Sequence, residues 1–249
     1  MGNMVTFITV LKSKKESEFK KAGTPRGFDF SSGYAIYETV HVYALKKQIE
    51  KHYPHPHRFI VLTDFDDMKC ESIKLKHNWP GWWSKIEMFR PDFLSSNPDD
   101  VFFYMDLDTC LVGDISCYID AEYQLCALGE VHAPGLVEGL GSGVVAWRGN
   151  HSDIYNTFVN GPHGETPEIF MERFFVGGDQ HFMNQMRPRF IRIQDIDSGC
   201  INFKYNLPDK KNIPENAKII YFHGELKPWQ VEHGLCPWLD LSLYNINNY

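Results

Sequence analysis

The sequence predicts an α/β protein with a mixed, mostly parallel central sheet that is flanked by helices. Three apolar or β-branched runs of strand length carry this prediction, namely Val5–Leu11, Phe59–Thr63 and Val101–Met105. A helical pattern with apolar residues on one face lies between the first two runs, over residues 36–51. A strand, a helix and a second strand in this order are typical of a right-handed βαβ unit, and therefore of parallel pairing.

Composition limits the classes of protein to consider. The chain of 249 residues is long enough for one large α/β domain, and we predict a single domain over residues 1–249. A formal net charge of −7 gives no electrostatic reason to expect a nucleic-acid partner.

Neither a secretory signal nor an apolar run of about 20 residues is visible, so we expect a cytoplasmic protein without a transmembrane segment, with peripheral membrane association left open. The six cysteines form no CxxC pair, which favours reduced thiols.

Two aspartates separated by one leucine, Asp106 and Asp108, directly follow the third apolar run. If the chain is still extended there, both side chains point the same way, because residues two apart in a strand share a face. Two carboxylates directed at one point repel each other. The arrangement makes sense if a cation lies between them, or if one carboxylate reacts while the other handles a proton. Both interpretations are open at this point.

A second polar group follows another predicted strand, Lys218–Phe222, which leads directly to His223 and, four residues later, to Lys227. The carboxyl ends of strands are where open α/β sheets bind ligands. Two carboxylates, an imidazole and a lysine suit a divalent cation that holds a diphosphate. Oxygen ligands favour Mg²⁺ or Mn²⁺, and the imidazole favours Mn²⁺. Such a cation neutralises charge on a leaving diphosphate, and the lysine adds a point charge to the same oxygens.

Three further segments contain candidate residues. Gly139–Gly143 is predicted to be a turn that enters a strand; it lacks the dinucleotide-binding spacing but lets the backbone approach a ligand closely. Gly177–Asn184 is predicted to begin a helix with Asp179 near its cap, and capping explains this aspartate as well as catalysis does. A helix rich in tryptophan is predicted at residues 79–89, where the tryptophans are expected in the core and Lys85 is either solvated or functional.

The chain resembles glycosyltransferases of the GT-A fold, in particular glycosyltransferase family 8 and a bacterial and phage-type branch close to it. The motifs that carry the resemblance are WPGWWSK at Trp79–Lys85, YMDLDT at Tyr104–Thr109, LGSGVVAW at Leu140–Trp147, GGDQ at Gly177–Gln180 and FHGELKPW at Phe222–Trp229. The DxD motif alone is a weak signal, whereas five ordered motifs over almost the whole chain are specific. Two features depart from family 8: Gly141 replaces the usual asparagine, and the His-Gly loop is shorter by two residues.

The resemblance implies a single GT-A-like domain, with a nucleotide-sugar-binding half at residues 1–115 and an acceptor-side half at residues 116–249 that closes with the HGELKPW loop. It implies metal-dependent transfer of a hexose-type sugar from a nucleoside-diphosphate sugar, with UDP as the expected nucleotide. The implied acceptor is a glycan, a lipid-linked molecule or a protein. Members of the family retain the anomeric configuration, which suggests front-face attack with the leaving phosphate oxygen taking the acceptor proton.

The same resemblance assigns roles to single positions. It implies that Asp106, Asp108 and His223 ligate Mn²⁺ or Mg²⁺, and that Gly224 and Lys227 bind the diphosphate. It implies a catalytic position at the reacting carbon for Asp179 and Gln180, with Lys85 on the donor sugar hydroxyls. It also implies that Ser142 and Gly143 contact the donor sugar, and that a nucleobase pocket is lined by Thr9, Val10, Leu11 and Tyr37.

Two other function classes fit parts of the pattern. Phosphatases of the haloacid dehalogenase type also carry DxD after an apolar strand. They place it on the first strand, however, and they require threonine or valine where Cys110 stands. A non-catalytic module that binds sugar nucleotides or carbohydrates would keep the binding motifs without turnover. Metal-dependent hydrolysis of sugar nucleotides distinguishes the binding module from an enzyme.

Overall fold

The computed structural model describes residues 3–13, 37–95, 97–133, 136–222, 224 and 226–249. The strands of this part form two sheets. They are β1 (Val5–Leu11), β2 (Arg58–Thr63), β3 (Ser72–Lys74), β4 (Val101–Met105), β5 (Thr109–Leu111), β6 (Leu125–Ala133), β7 (Leu136–Arg148), β8 (Ile191–Arg192), β9 (Cys200–Asn202) and β10 (Ile219–Tyr221).

The larger sheet has seven strands in the order β3-β2-β1-β4-β7-β6-β8. Strand β1 is parallel to β2 and to β4, β2 is parallel to β3, and β6 is parallel to β8. Only β7 runs against its neighbours β4 and β6. This mixed, mostly parallel sheet confirms the predicted fold class.

Helices cover both faces of the larger sheet. The α-helices are α1 (Thr39–His52), α2 (Ser116–Asp120), α3 (Ser152–Val159), α4 (Pro167–Arg173), α5 (Gly178–Met186) and α6 (Ile193–Ile196), and the 3₁₀ helices are Gly81–Phe89, Pro228–Gln230, Leu241–Tyr244 and Ile246–Asn248. The 3₁₀ helix Gly81–Phe89 is called the Lys85 helix below. Within the described ranges, no helix is both long enough and apolar enough to cross a bilayer.

The central strands read as continuous apolar runs because both faces of the sheet are covered. Successive residues of β1 belong to different apolar clusters: Phe7 packs with Leu45 of α1, and Ile8 packs with Phe89 of the Lys85 helix. All four side chains are almost completely buried. The predicted central strands are therefore correct, and the helix predicted over residues 36–51 is α1, which begins at Thr39.

The prediction of a turn at Gly139–Gly143 is wrong, because these residues lie inside strand β7. Strands β6 and β7 form a long antiparallel hairpin with register shifts, and Leu128 pairs with Gly141 beyond one of them. A Cβ atom on Gly141 would lie only 3.1 Å from the Cβ of Leu128. Glycine is common both in turns and at irregular positions of strands, so the sequence pattern alone could not separate the two.

The strand predicted at Lys218–Phe222 exists as β10, but it belongs to a separate three-stranded sheet in the order β5-β10-β9. It pairs antiparallel with β5, which begins directly after Asp108. The backbone N–H of Phe222 also donates to the carbonyl oxygen of Asp108 at 3.2 Å. The small sheet thereby brings the segment after β10 to the aspartates.

Candidate functional site

A cavity of about 450 Å³ opens where β1 and β4 end. Its lining includes Val10 and Lys12 from the end of β1, and Asp106 and Asp108 from the segment that follows β4. The carboxyl edge of a parallel sheet is the expected place for a ligand in an α/β fold. The two predicted carboxylates thus border one cavity.

The two aspartates reach the cavity from a turn rather than from an extended strand. Strand β4 ends at Met105, and the N–H of Thr109 donates to the carbonyl oxygen of Asp106 at 3.0 Å. The residue between the aspartates, Leu107, is 4% exposed and packs in the apolar core. The extended conformation on which the shared-face argument depended is therefore absent, although both carboxylates still border the cavity.

Asp106 is held by an ammonium and a phenol. Lys85 Nζ lies 2.8 Å from Asp106 Oδ2, and Tyr104 OH donates to Asp106 Oδ1 at 2.5 Å. Burial raises the pKa of the Asp106 carboxyl, and the like charge of Asp108 adds to this effect while Lys85 opposes it. Burial alone would lower the pKa of Lys85, but the charges of Asp106 and Asp179 outweigh it and raise the pKa. Lys85 is therefore a charged group that compensates buried carboxylates.

Asp108 has an equivalent pair of partners. Lys227 Nζ lies 2.5 Å from Asp108 Oδ2, and Tyr37 OH donates to the same oxygen at 3.0 Å. Asp108 and Lys227 are 5% and 8% exposed, so this ion pair is buried. Burial raises the pKa of Tyr37 well above its ordinary value, and the charges of Asp108 and Asp106 add to this effect. The phenol consequently stays a hydrogen-bond donor over the whole physiological range of pH.

Asp179 occupies the second position of α5 and borders the same cavity. Its carboxylate accepts hydrogen bonds from the Ser142 hydroxyl and from backbone N–H groups at the helix start, and burial raises its pKa despite these partners and Lys85. Within the described residues its Oδ2 atom is buried without a hydrogen-bond partner. Capping explains part of this arrangement, but an unpaired buried oxygen is costly and points to a further role.

The metal site stays a prediction. Asp106 and Asp108 supply hard oxygen donors at one place, a donor set that suits Mg²⁺ or Mn²⁺. An ammonium group contacts each carboxylate, which indicates that these two negative charges require positive charge close to them. The third implied ligand, His223, lies outside the described residues. Over the described ranges, no group of three or more histidine, cysteine, aspartate or glutamate side chains could hold a metal ion.

Of the residues predicted to form a nucleobase pocket, only Val10 and Tyr37 line the cavity. Thr9 and Leu11 are fully buried, because side chains alternate along β1 and theirs point away from that of Val10. Thr9 Oγ1 donates to the Met105 carbonyl oxygen at 2.8 Å, and Leu11 packs in the core. The role implied for Thr9 and Leu11 at a nucleobase stays a prediction.

The remaining predicted residues all border the cavity: Ser142, Gly143, Gln180 and Gly224. Gly143 approaches the aspartate closely, since a Cβ atom there would lie 3.4 Å from Asp106 Oδ2. Gly224 has a φ of +85°, which favours glycine, while a Cβ atom there would meet none of the described residues within 4 Å. Its backbone conformation accounts for that glycine.

Sequence reasoning assigned no role to Tyr104, nor to Trp82 at the rim of the cavity. A signal for Tyr104 was present, because it stands only two residues before Asp106 in the apolar run, and its OH donates to that carboxylate. Trp82 was grouped with the core tryptophans, and only its actual exposure separates it from Trp79 and Trp83.

Comparison with known proteins identifies the fold. No family model and no curated protein matches the chain. Among solved structures, the galactosyltransferase LgtC in complex with donor and acceptor sugar analogues matches with a TM-score of 0.57 and 11% identity, over 96% of this chain and 93% of that one. The glycosyltransferase GlyE of Streptococcus pneumoniae TIGR4 matches with a TM-score of 0.54 and 14% identity, over 98% of this chain and 62% of its own.

The bifunctional glycosyltransferase WbbM matches with a TM-score of 0.55 and 12% identity, over 98% of this chain and 52% of its own. At such low identity these matches establish the fold alone. The chain has the fold of GT-A glycosyltransferases over nearly its whole length. The resemblance stated from the sequence is thereby confirmed at the level of the fold, while the five motifs and the roles of single residues stay predictions.

Proposed function

We propose that this protein is a metal-dependent glycosyltransferase that moves a hexose-type sugar from a nucleoside-diphosphate sugar to an acceptor, with UDP as the expected nucleotide. One observation carries the proposal. Two carboxylate–ammonium pairs, Asp106 with Lys85 and Asp108 with Lys227, converge on one cavity at the carboxyl edge of the sheet. The GT-A fold of the chain supports the same function.

The charges in the cavity favour a divalent cation together with a diphosphate. If all are ionised, the carboxylates of Asp106, Asp108 and Asp179 balance the ammonium groups of Lys12, Lys85 and Lys227, so the cavity has no excess of positive charge for a diphosphate anion on its own. A divalent cation held by Asp106 and Asp108, with His223 as the third proposed ligand, would supply that positive charge and neutralise charge on the leaving diphosphate. Lys227 then serves as a point charge for the diphosphate oxygens.

The donor sugar would occupy the part of the cavity lined by Lys85, Ser142, Gly143 and Asp179. In a transfer with retention, the bond between the anomeric carbon and the diphosphate oxygen breaks, and the acceptor oxygen bonds to that carbon on the same face. The proton of the acceptor hydroxyl passes to the departing phosphate oxygen. The buried carboxylate of Asp179, one oxygen of which has no hydrogen-bond partner among the described residues, would stabilise positive charge that develops on the sugar ring.

The first prediction concerns Asp108. UDP or a UDP-sugar with Mn²⁺ should raise the melting temperature by several degrees, because a ligand at about 100 times its dissociation constant adds about 2.7 kcal/mol. Asp108→Asn should lose the part of this shift that depends on Mn²⁺, together with turnover of the donor. A thermal-shift series of nucleoside diphosphates and sugar nucleotides, with and without Mn²⁺, measures the first effect, and release of the nucleoside diphosphate measures the second.

Asp99→Asn is the matched control, because Asp99 is exposed and does not line the cavity. An Asp108→Asn variant that responds normally to Mn²⁺ would refute the metal assignment. If nucleotides bind but no donor is hydrolysed or transferred, the protein is a sugar-nucleotide-binding module instead.

A further inference from the structure

Two exposed apolar side chains lie at the rim of the cavity. Trp82 is 42% exposed and Val176 is 90% exposed, and both border the cavity that contains Asp106 and Asp179. The neighbouring tryptophans are different: Trp83 is only 5% exposed and stacks with a core phenylalanine. Exposure is thus specific to Trp82 and is not a general property of the tryptophan-rich segment.

Trp82 lies on the same helix as Lys85 and nearer to solvent. It precedes Lys85 by three positions in the Lys85 helix, and side chains three apart in a 3₁₀ helix lie one above the other at a spacing of about 6 Å. Lys85 reaches inward to Asp106, and to Ser142 Oγ at 3.4 Å. Trp82 is therefore the next position on the same side of the helix, towards solvent.

The indole ring of Trp82 is held in place by the start of α5. Gly178 has a φ of +60°, and a Cβ atom on it would lie 2.3 Å from Trp82 Nε1 and 2.7 Å from Cδ1. Only a glycine lets the indole pack this closely on the backbone. Asp179, the residue proposed to face the reacting carbon, follows Gly178 directly, so the ring packs on the start of the helix that carries this carboxylate and borders the same cavity.

We propose that Trp82, with Val176, forms a platform on which a neutral hexopyranose ring of the acceptor stacks. This inference rests on the proposed function and names the acceptor class for that site as a glycan end. One face of a pyranose ring presents C–H groups, which suit the negative face of an indole. The ring hydroxyls at the edge remain free to meet polar groups inside the cavity.

Other acceptor chemistries suit this rim less well. A lipid chain needs an extended apolar groove, whereas Trp82 and Val176 are the exposed large apolar side chains that line the cavity in the described part of the chain. An anionic sugar would meet the carboxylate of Asp179, which borders the same cavity. A neutral pyranose stacked on Trp82 would instead direct a hydroxyl towards the donor sugar, between the platform and Lys85.

Saturation-transfer NMR on the whole protein, with UDP and Mn²⁺ present, tests the platform. The probes are lactose and octyl β-D-glucopyranoside, whose ring and alkyl protons report separately. We expect saturation of the ring protons, and a dissociation constant raised on the order of tenfold by Trp82→Ala. Trp82→Phe should fall between Trp82→Ala and the wild type. Ile246→Ala is the control, because Ile246 is 53% exposed but lies outside the cavity, and it should change nothing.

Val176→Asp provides a test that does not depend on packing, since Val176 is almost fully exposed, and it should weaken binding of both probes several-fold. Equal binding in wild type and Trp82→Ala would overturn the inference, as would saturation of the alkyl protons alone or no binding of either probe. The shift of melting temperature with UDP and Mn²⁺ is recorded for each protein. Its absence in the wild type would refute the proposed function, whereas its presence without pyranose binding would refute only the platform.

Discussion

At the scale of the residue, the pair of Asp108 and Lys227 shows how stability and proposed function depend on the same atoms. The ammonium group lies 2.5 Å from the carboxylate, and both side chains are buried. Removing one partner of a buried pair leaves an uncompensated charge, which costs about 3–5 kcal/mol. Lys227 therefore supports the fold of the site in addition to its proposed contact with a diphosphate.

The second prediction separates these two contributions. Lys227→Met should lower the free energy of unfolding by about 3 kcal/mol and weaken UDP binding on the order of tenfold or more. The double variant Lys227→Met with Asp108→Asn should recover most of the stability, because neither charge is left unpaired, but it should not recover UDP affinity. Urea unfolding and isothermal titration with UDP measure the two quantities. Unchanged UDP affinity in Lys227→Met would disprove the diphosphate role.

At the scale of the element, the Lys85 helix is fastened by a buried ion pair. Glu87 is completely buried and accepts hydrogen bonds from the backbone N–H groups of Lys76 and His77, at 2.7 and 2.9 Å. Arg90 Nη1 lies 2.6 Å from the same carboxylate. These bonds join the end of the helix to the segment after β3. They hold the helix that presents both Lys85 and Trp82 to the cavity.

The third prediction concerns this fastening. Glu87→Gln keeps the size of the side chain but removes the buried charge partner of Arg90, which keeps only the exposed Asp92, and it replaces one oxygen that accepts a backbone N–H by an amide N–H; the free energy of unfolding should therefore fall by about 3 kcal/mol. For a chain of this size, that loss corresponds to roughly 6–12 °C in melting temperature. Calorimetry provides the measurement. Glu50→Gln, which removes an exposed pair with Lys46, should cost under about 0.5 kcal/mol. Equal effects of the two substitutions would contradict the structural role of Glu87.

Local pattern predicted the elements well and their long-range arrangement less well. Strands β1, β2 and β4 were visible as apolar runs, because burial on both faces leaves a signal in neighbouring residues. The contact between Asp108 and Lys227 joins residues 119 positions apart, and local spacing contains no information about it. The resemblance to a family placed both residues at one site, but it did not reveal the second sheet that brings them together. Nor did the pattern of Gly139–Gly143 reveal the register of β7.

At the scale of the whole molecule, the larger sheet separates two apolar layers, and a buried histidine borders each of them. His41, on α1, stacks on Trp229 with ring centroids 3.7 Å apart. His151 precedes α3 on the other side and accepts a hydrogen bond from Arg187 Nε at 3.0 Å. Burial lowers the pKa of His41 to about 4. Burial also lowers the pKa of His151 to about 4, and the charge of Arg187 adds to this effect. Both rings are consequently held neutral by the fold.

The fourth prediction follows from this arrangement. A histidine whose pKa is lower in the folded than in the unfolded state contributes its full stability above about pH 6.5, and that contribution is lost as the pH falls towards 4. Each ring should account for up to about 3 kcal/mol of this loss. Asn Oδ1 can accept the bonds that Nδ1 accepts in both rings, from the Glu38 N–H and from Arg187. The double variant His41→Asn with His151→Asn should therefore flatten the decline in unfolding free energy between pH 6.5 and 4.5, as measured by urea unfolding at several pH values.

His163→Asn, at an exposed position, is the control and should leave the decline as it is. If the double variant declined as steeply as the wild type, the loss of stability in acid would arise from other groups, and the two layers would not depend on neutral histidines.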